Sequence, residues 1–155
     1  TMHISELSIQ EQAKTGFTHK AVISYTDLTG TAATSLALTV GKAALGTLVT
    51  AAGYRLVTAF DGGATSNLVI DFGYDYASLT DDPDAFIDNL EGDADGSEIR
   101  GADGNGAVFA TLRTGWYALA AADLEVLLTA TGANLTALTT GEVHVYWAQS
   151  DTTAL

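Results

Sequence analysis

The stretch Glu91–Ala107, EGDADGSEIRGADGNGA, sets Asp93, Asp95 and Asp103 among five glycines, with Asn105 beside them. Carboxylate and amide oxygens on a glycine-rich chain are the ligands that a hard cation such as calcium takes. Spacing decides against two forms of that chemistry. An EF-hand loop with Gly96 at its turn position starts at Glu91, and Ala102 then stands where a bidentate Glu must close the shell. A calcium β-roll needs tandem nonapeptides, and GADGNGAVF is one imperfect copy. A non-repeat calcium site on a sandwich loop is the alternative that spacing leaves standing. The simpler reading is a long turn, because Asp and Asn bond their own backbone and Gly supplies positive φ. Asp103-Gly104 and Asn105-Gly106 are hairpin-turn dipeptides placed just before a strand from Ala107. Glu91–Gly106 is therefore expected to be a surface loop facing solvent or a basic partner, with no metal.

Other reactive types give less. His3, His19 and His144 form no HExxH or close pair, so a histidine metal centre is not expected. His144 shares a strand face with Glu142 and Tyr146 and reads as a surface or interface residue. There is no cysteine, which removes thiol nucleophiles, disulfides and cysteine-ligated zinc. No G-x-S-x-G elbow occurs. The glycines of GADGNG come without the lysine of a phosphate loop and precede a strand rather than a helix. Two carboxylates across a cleft would suffice for a glycosidase, yet nothing singles out a pair among 19 acids. Trp116, Tyr117 and Trp147 could line a carbohydrate site, but on apolar strands they read better as core or interface. We expect no catalytic residue, no cofactor and no enzyme.

Charge narrows the partners. A net −13 with six Lys plus Arg repels phosphate backbones and anionic lipid surfaces, so neither nucleic acid nor membrane is expected. TMHISELSIQEQAKTG has no basic n-region or apolar h-region, so it does not read as a signal peptide. A chain of 155 residues reads as one domain able to bury a core without staples.

The elements that would carry these residues are strands. Period-2 alternation aligns Tyr54, Leu56, Thr58 and Phe60, then Leu68, Ile70 and Phe72, then Leu124, Val126, Leu128 and Ala130. It also sets Val143, Val145 and Trp147 against Glu142, His144 and Tyr146. Weaker alternation occurs at 20–26, 35–40, 45–51 and 107–113. The expectation is an all-β, antiparallel β-sandwich, jelly-roll-like, of about eight strands. One short helix is expected near residues 82–90, with Asp82 as N-cap, Pro83 at the first helical position and an apolar stripe of Ala85, Phe86, Ile87 and Leu90. Residues 1–16 read as an N-terminal arm, 17–149 as the single sandwich domain and 150–155 as a frayed tail.

Within this frame a longer pattern stands out. TSLALTVGKAALGTLVTAAGYRLVTAFDGGATSNLVIDFGYDYASLTDDPDAFIDN, from Thr34 to Asn89, and the strand TTGEVHVYW resemble the capsid-decoration (cement) proteins of tailed bacteriophages. The resemblance spans chiefly Thr34–Asn89 and Asp123–Trp147. It implies a non-enzymatic virion protein, a homotrimer on the outer surface of the capsid, which binds the major capsid protein and stabilises contacts between its copies. It implies no cofactor. On that reading Trp116, Tyr117 and Tyr146 are expected at a subunit interface, and Ile4, Leu7 and Ile9 on an arm strapped to the shell. A phage tail or fibre β module, or a calcium- or carbohydrate-binding β-sandwich, is the alternative.

Overall fold

The structure, a computed structural model, describes residues 2–92 and 107–151, and their side chains apart from those of 89–91, 107–117 and 151. Nine strands make up two antiparallel sheets among the described residues: β1 (His3–Glu6), β2 (His19–Ser24), β3 (Ser35–Ala43), β4 (Thr47–Asp61), β5 (Asn67–Tyr76), β6 (Asp82–Glu91), β7 (Ala107–Tyr117), β8 (Ala122–Thr131) and β9 (Thr140–Asp151). One sheet has the order β1-β2-β9-β4-β7, the other β3-β8-β5-β6. The pairings nest: β2 with β9, β3 with β8, β4 with β7 and β5 with β6. A long antiparallel hairpin has thus been rolled up, and the β4–β9 and β5–β8 pairings close the roll. That is the jelly roll expected from the sequence, with β1 added at one edge.

The alternating residues meet between the sheets. Leu68, Ile70, Phe72, Leu124, Val126, Leu128, Val143, Val145 and Trp147 are all buried. Phe72 of one sheet meets Trp147 of the other edge-on, with ring centroids 5.5 Å apart. The apolar half of each period-2 pattern therefore does what sandwich packing requires, which is to turn one face of each sheet away from water. The exception in β4 is Thr58, which is exposed. The β4–β9 register slips between Leu56 and Thr58, so a bulge spoils the alternation there.

Three expectations change. The helix near 82–90 is strand β6. Its irregular pairing explains the misreading: Phe72 faces Ile87 while Tyr74 faces Asp82, so extra residues bulge out of β6. The bulges bring the adjacent Phe86 and Ile87 both into the core, which broke the period-2 pattern and imitated helical spacing. Pro83 lies near the start of an edge strand, where a missing N–H is tolerated. Phe86 is gripped by Phe72 and Tyr74 at centroid distances of 5.0 and 4.8 Å. Next, the separate strands read at 45–51 and 54–60 are one 15-residue strand, β4, bulged between Val49 and Ala51. Finally, Ser150 and Asp151, expected in a frayed tail, pair with Leu48 and Thr47; residues 152–155 lie outside the described residues.

The segment read as an arm is laid along the sheet. β1 pairs with β2, and Leu7 is buried, its N–H bonded to the Thr18 carbonyl at 2.8 Å. A short helix, α1 (Ile9–Thr15), follows. Ser8 and Glu11 form a reciprocal capping box, and Gly16 closes the helix at φ 76°.

Candidate interaction surfaces

Two surfaces collect the polar and apolar groups that are not absorbed by the core. The first is the outer face of the five-stranded sheet. Residues directly opposite on paired strands share a face, so the registers Val22–His144 and Lys20–Tyr146 put those four together, with Arg55 opposite His144 on the far side. Glu142, His144 and Tyr146 form a line along β9. The His144 Nε2 lies 2.7 Å from the Glu142 Oε1, and its Nδ1 lies 3.5 Å from the Tyr146 hydroxyl. Phe17 packs on Tyr146 at 5.6 Å, and the Lys20 ammonium sits 5.8 Å from the same ring. Burial, the larger effect, raises the Tyr146 pKa, against the nearby Arg55, which lowers it. The phenol is therefore a neutral, half-buried contact group rather than a phenolate.

The second surface is one end of the roll. The β3–β4, β5–β6 and β7–β8 connections gather there: Ala122 pairs with Ala43 on one side and Tyr76 on the other, and Gly46 donates to the Ala118 carbonyl at 2.9 Å. A shallow depression of about 540 Å³ opens between them, floored by Ala43, Ala77, Ala121 and Ala122 and edged by Lys42, Asp75 and Asp123. Lys42 and Asp123 pair at 2.7 Å on the open surface. Beside them Asp75 and Glu125 hold their protons more tightly than ordinary carboxylates. Desolvation is the first cause for each, followed by the neighbouring Asp81 and Asp123 for Asp75, and by Asp75, Asp81 and Asp123 for Glu125. The pair Asp82 and Asp84 repeats this on β6, where desolvation and then Asp84 raise the Asp82 pKa.

Of the residues expected to bind a partner, those whose side chains are described do not gather at one place. Tyr146 stands at the centre of the first. Ile4 is 42% exposed on β1, whereas Leu7 is buried and serves the fold. Ile9, at the start of α1, is 85% exposed. Trp116 and Tyr117 belong to edge strand β7, opposite Val49 and Leu48, and their side chains lie outside the described residues. Trp147 is core, as expected, and His19 stacks on it at 5.3 Å. The 93–106 part of the acidic loop, with its calcium and turn readings, also lies outside the described residues. Among the described residues no group of three or more His, Asp or Glu is arranged to hold a metal ion, and no helix is long and apolar enough to cross a membrane.

Sequence reasoning missed the apolar end of the roll and α1. The Ser8–Glu11 spacing ahead of Gly16 is a readable helix signature. The end surface had no such signal, because Leu45, Leu79 and Leu119 are far apart in the chain.

Neither a family model nor a curated protein matches the chain. Among solved structures, a chain of the cyanophage Pam1 capsid asymmetric unit aligns over 96% of this chain and 85% of that one, with a TM-score of 0.49 and 16% identity.

Proposed function

We propose that this chain is a non-enzymatic structural protein of a tailed-phage virion that decorates the outside of the capsid and stabilises contacts between major capsid proteins. The observation that carries the reading is where the cement-like segments fall in the fold. Thr34–Asn89 supplies β3, β4, β5 and nearly all of β6, and Asp123–Trp147 supplies most of β8 and β9. The resemblance thus lies on the strands that build both sheets rather than on a local motif, and jelly rolls are a recurrent architecture of viral shells.

Cementing is a binding task. A homotrimer would engage several capsid subunits at once, so moderate contacts add through multivalency. Its three subunits would meet through heterologous contacts that close into a ring. The Phe17–Tyr146–Lys20 face offers an aromatic, half-buried contact for that purpose. The test is reconstitution on empty heads that lack the protein. Saturable binding to heads, by a species of trimer mass, supports the reading. Association with tails, or with no virion part, overturns it.

A further inference from the structure

Apolar exposure among the described residues is concentrated, with only Ile4 of edge strand β1 standing apart. The large apolar side chains most exposed among the described residues are Ile9 at 85%, Leu119 at 69%, Leu45 at 61%, Leu79 at 47% and Ile4 at 42%. Leu45, Leu79 and Leu119 occupy the β3–β4, β5–β6 and β7–β8 connections, which share one end of the roll. Ile9 opens α1, which joins β1 to the start of β2 towards the same end, where β9 terminates. The opposite end is built the other way round. There Leu28, Leu135 and Leu138 point inward and are at most 3% exposed. Among the described residues the two ends of the sandwich therefore treat leucine in opposite ways, and the exposed leucines gather at one of them.

Charge says what the cover is. The apolar end is bordered by Asp75, Asp81, Asp123 and Glu125, which already repel one another, and the nearby base Lys42 is paired with Asp123. A second copy presenting the same end would bring carboxylates against carboxylates. We infer that this end is a docking surface for a different protein, one that presents apolar side chains bordered by Lys or Arg. The alanine-floored depression receives an apolar side chain of the partner, and the carboxylates meet its basic border. Burial of the leucines supplies affinity, and charge supplies selectivity against other partners.

The inference rests on the decoration reading only for the identity of the partner, so two probes separate the two. Backbone hydrogen exchange of the full chain is measured with empty heads made of the major capsid protein, and with a synthetic peptide in which leucines alternate with arginines. Exchange is expected to slow at 44–46, 77–81 and 118–121 with either probe. It should not slow with a leucine–glutamate peptide. The triple variant Leu45→Ser, Leu79→Ser, Leu119→Ser keeps the melting temperature, since the replaced side chains face water, and weakens peptide binding at least about tenfold. Heads that fail to bind while the arginine peptide still protects these loops defeat the decoration reading and leave the surface assigned. Protection of the Lys20–Tyr146 face instead, unchanged binding by the triple variant, self-association through these loops, or protection by neither probe overturns the inference.

Discussion

At the scale of single residues, close backbone approaches hold the roll shut. Gly141 adopts φ 138°, a region that side chains with a Cβ avoid, and an added Cβ would enter the ring of buried Phe60. The Phe60 ring is fixed in the core, so it cannot swing aside as a flexible chain end would. Gly141→Ala is expected to cost roughly 2–4 kcal/mol, seen as a Tm loss of about 5–10 °C in thermal unfolding. A wild-type Tm would contradict this account of how the start of β9 packs against Phe60 of β4. Nothing in the sequence distinguishes Gly141 from the other 15 glycines, because its constraint comes from Phe60, far away in the chain. Core positions were far more legible. Leu124, Val126 and Leu128 announce their inward face by alternation alone, since β8 pairs with β5 without a shift and the one shift against β3 inserts its extra residue in β3, leaving the period of β8 intact.

At the scale of elements, irregularity decided what could be read. β8 runs nearly unbroken against β5 and was evident. β6 carries two register shifts against the same β5, and its Asp-Pro start with clustered apolar residues passed for a helix. Gly73 belongs to the same story: an added Cβ there would strike the backbone of Asp82 and Pro83, so β6 crosses β5 at close range. The N-terminal segment shows the opposite error, since little hydrophobic periodicity hid an edge strand held by main-chain bonds to β2. That strand also covers an edge. Deleting residues 1–16 removes the burial of Leu7, worth roughly 2 kcal/mol, and bares β2 as a template for pairing between chains. The truncated protein is expected to melt earlier and to self-associate in light scattering. Unchanged melting and a single wild-type-like species would show the segment to be a free strap.

At the scale of the whole molecule, charge is unevenly spread. The four-stranded sheet and the apolar end carry Asp75, Asp81, Asp82, Asp84, Asp123 and Glu125 in a small area. The raised pKa values of Asp75, Asp82 and Glu125 mean that these groups bind protons more tightly folded than unfolded. Their contribution favours the fold below the ordinary carboxylate range near about pH 4 and is lost as pH rises through the raised values. Glu125→Gln, which removes burial of a charge and its repulsion with three neighbours, is expected to raise Tm by about 1–2 °C at pH 7 and to flatten its fall between mild acid and neutral pH. Added salt should narrow the difference. A lower Tm at pH 7 for the variant would mean that Glu125 is stabilising where it stands. Such a surface is tolerable in the free protein and becomes useful when a basic partner covers it.

The central claim is that this jelly roll binds the outside of a capsid. Empty heads lacking the protein are mixed with the purified chain, sedimented, and heated alongside bare heads. The account predicts saturable co-sedimentation and a higher temperature of shell disruption for the decorated heads. Heads that sediment without the protein and open at the same temperature would contradict it.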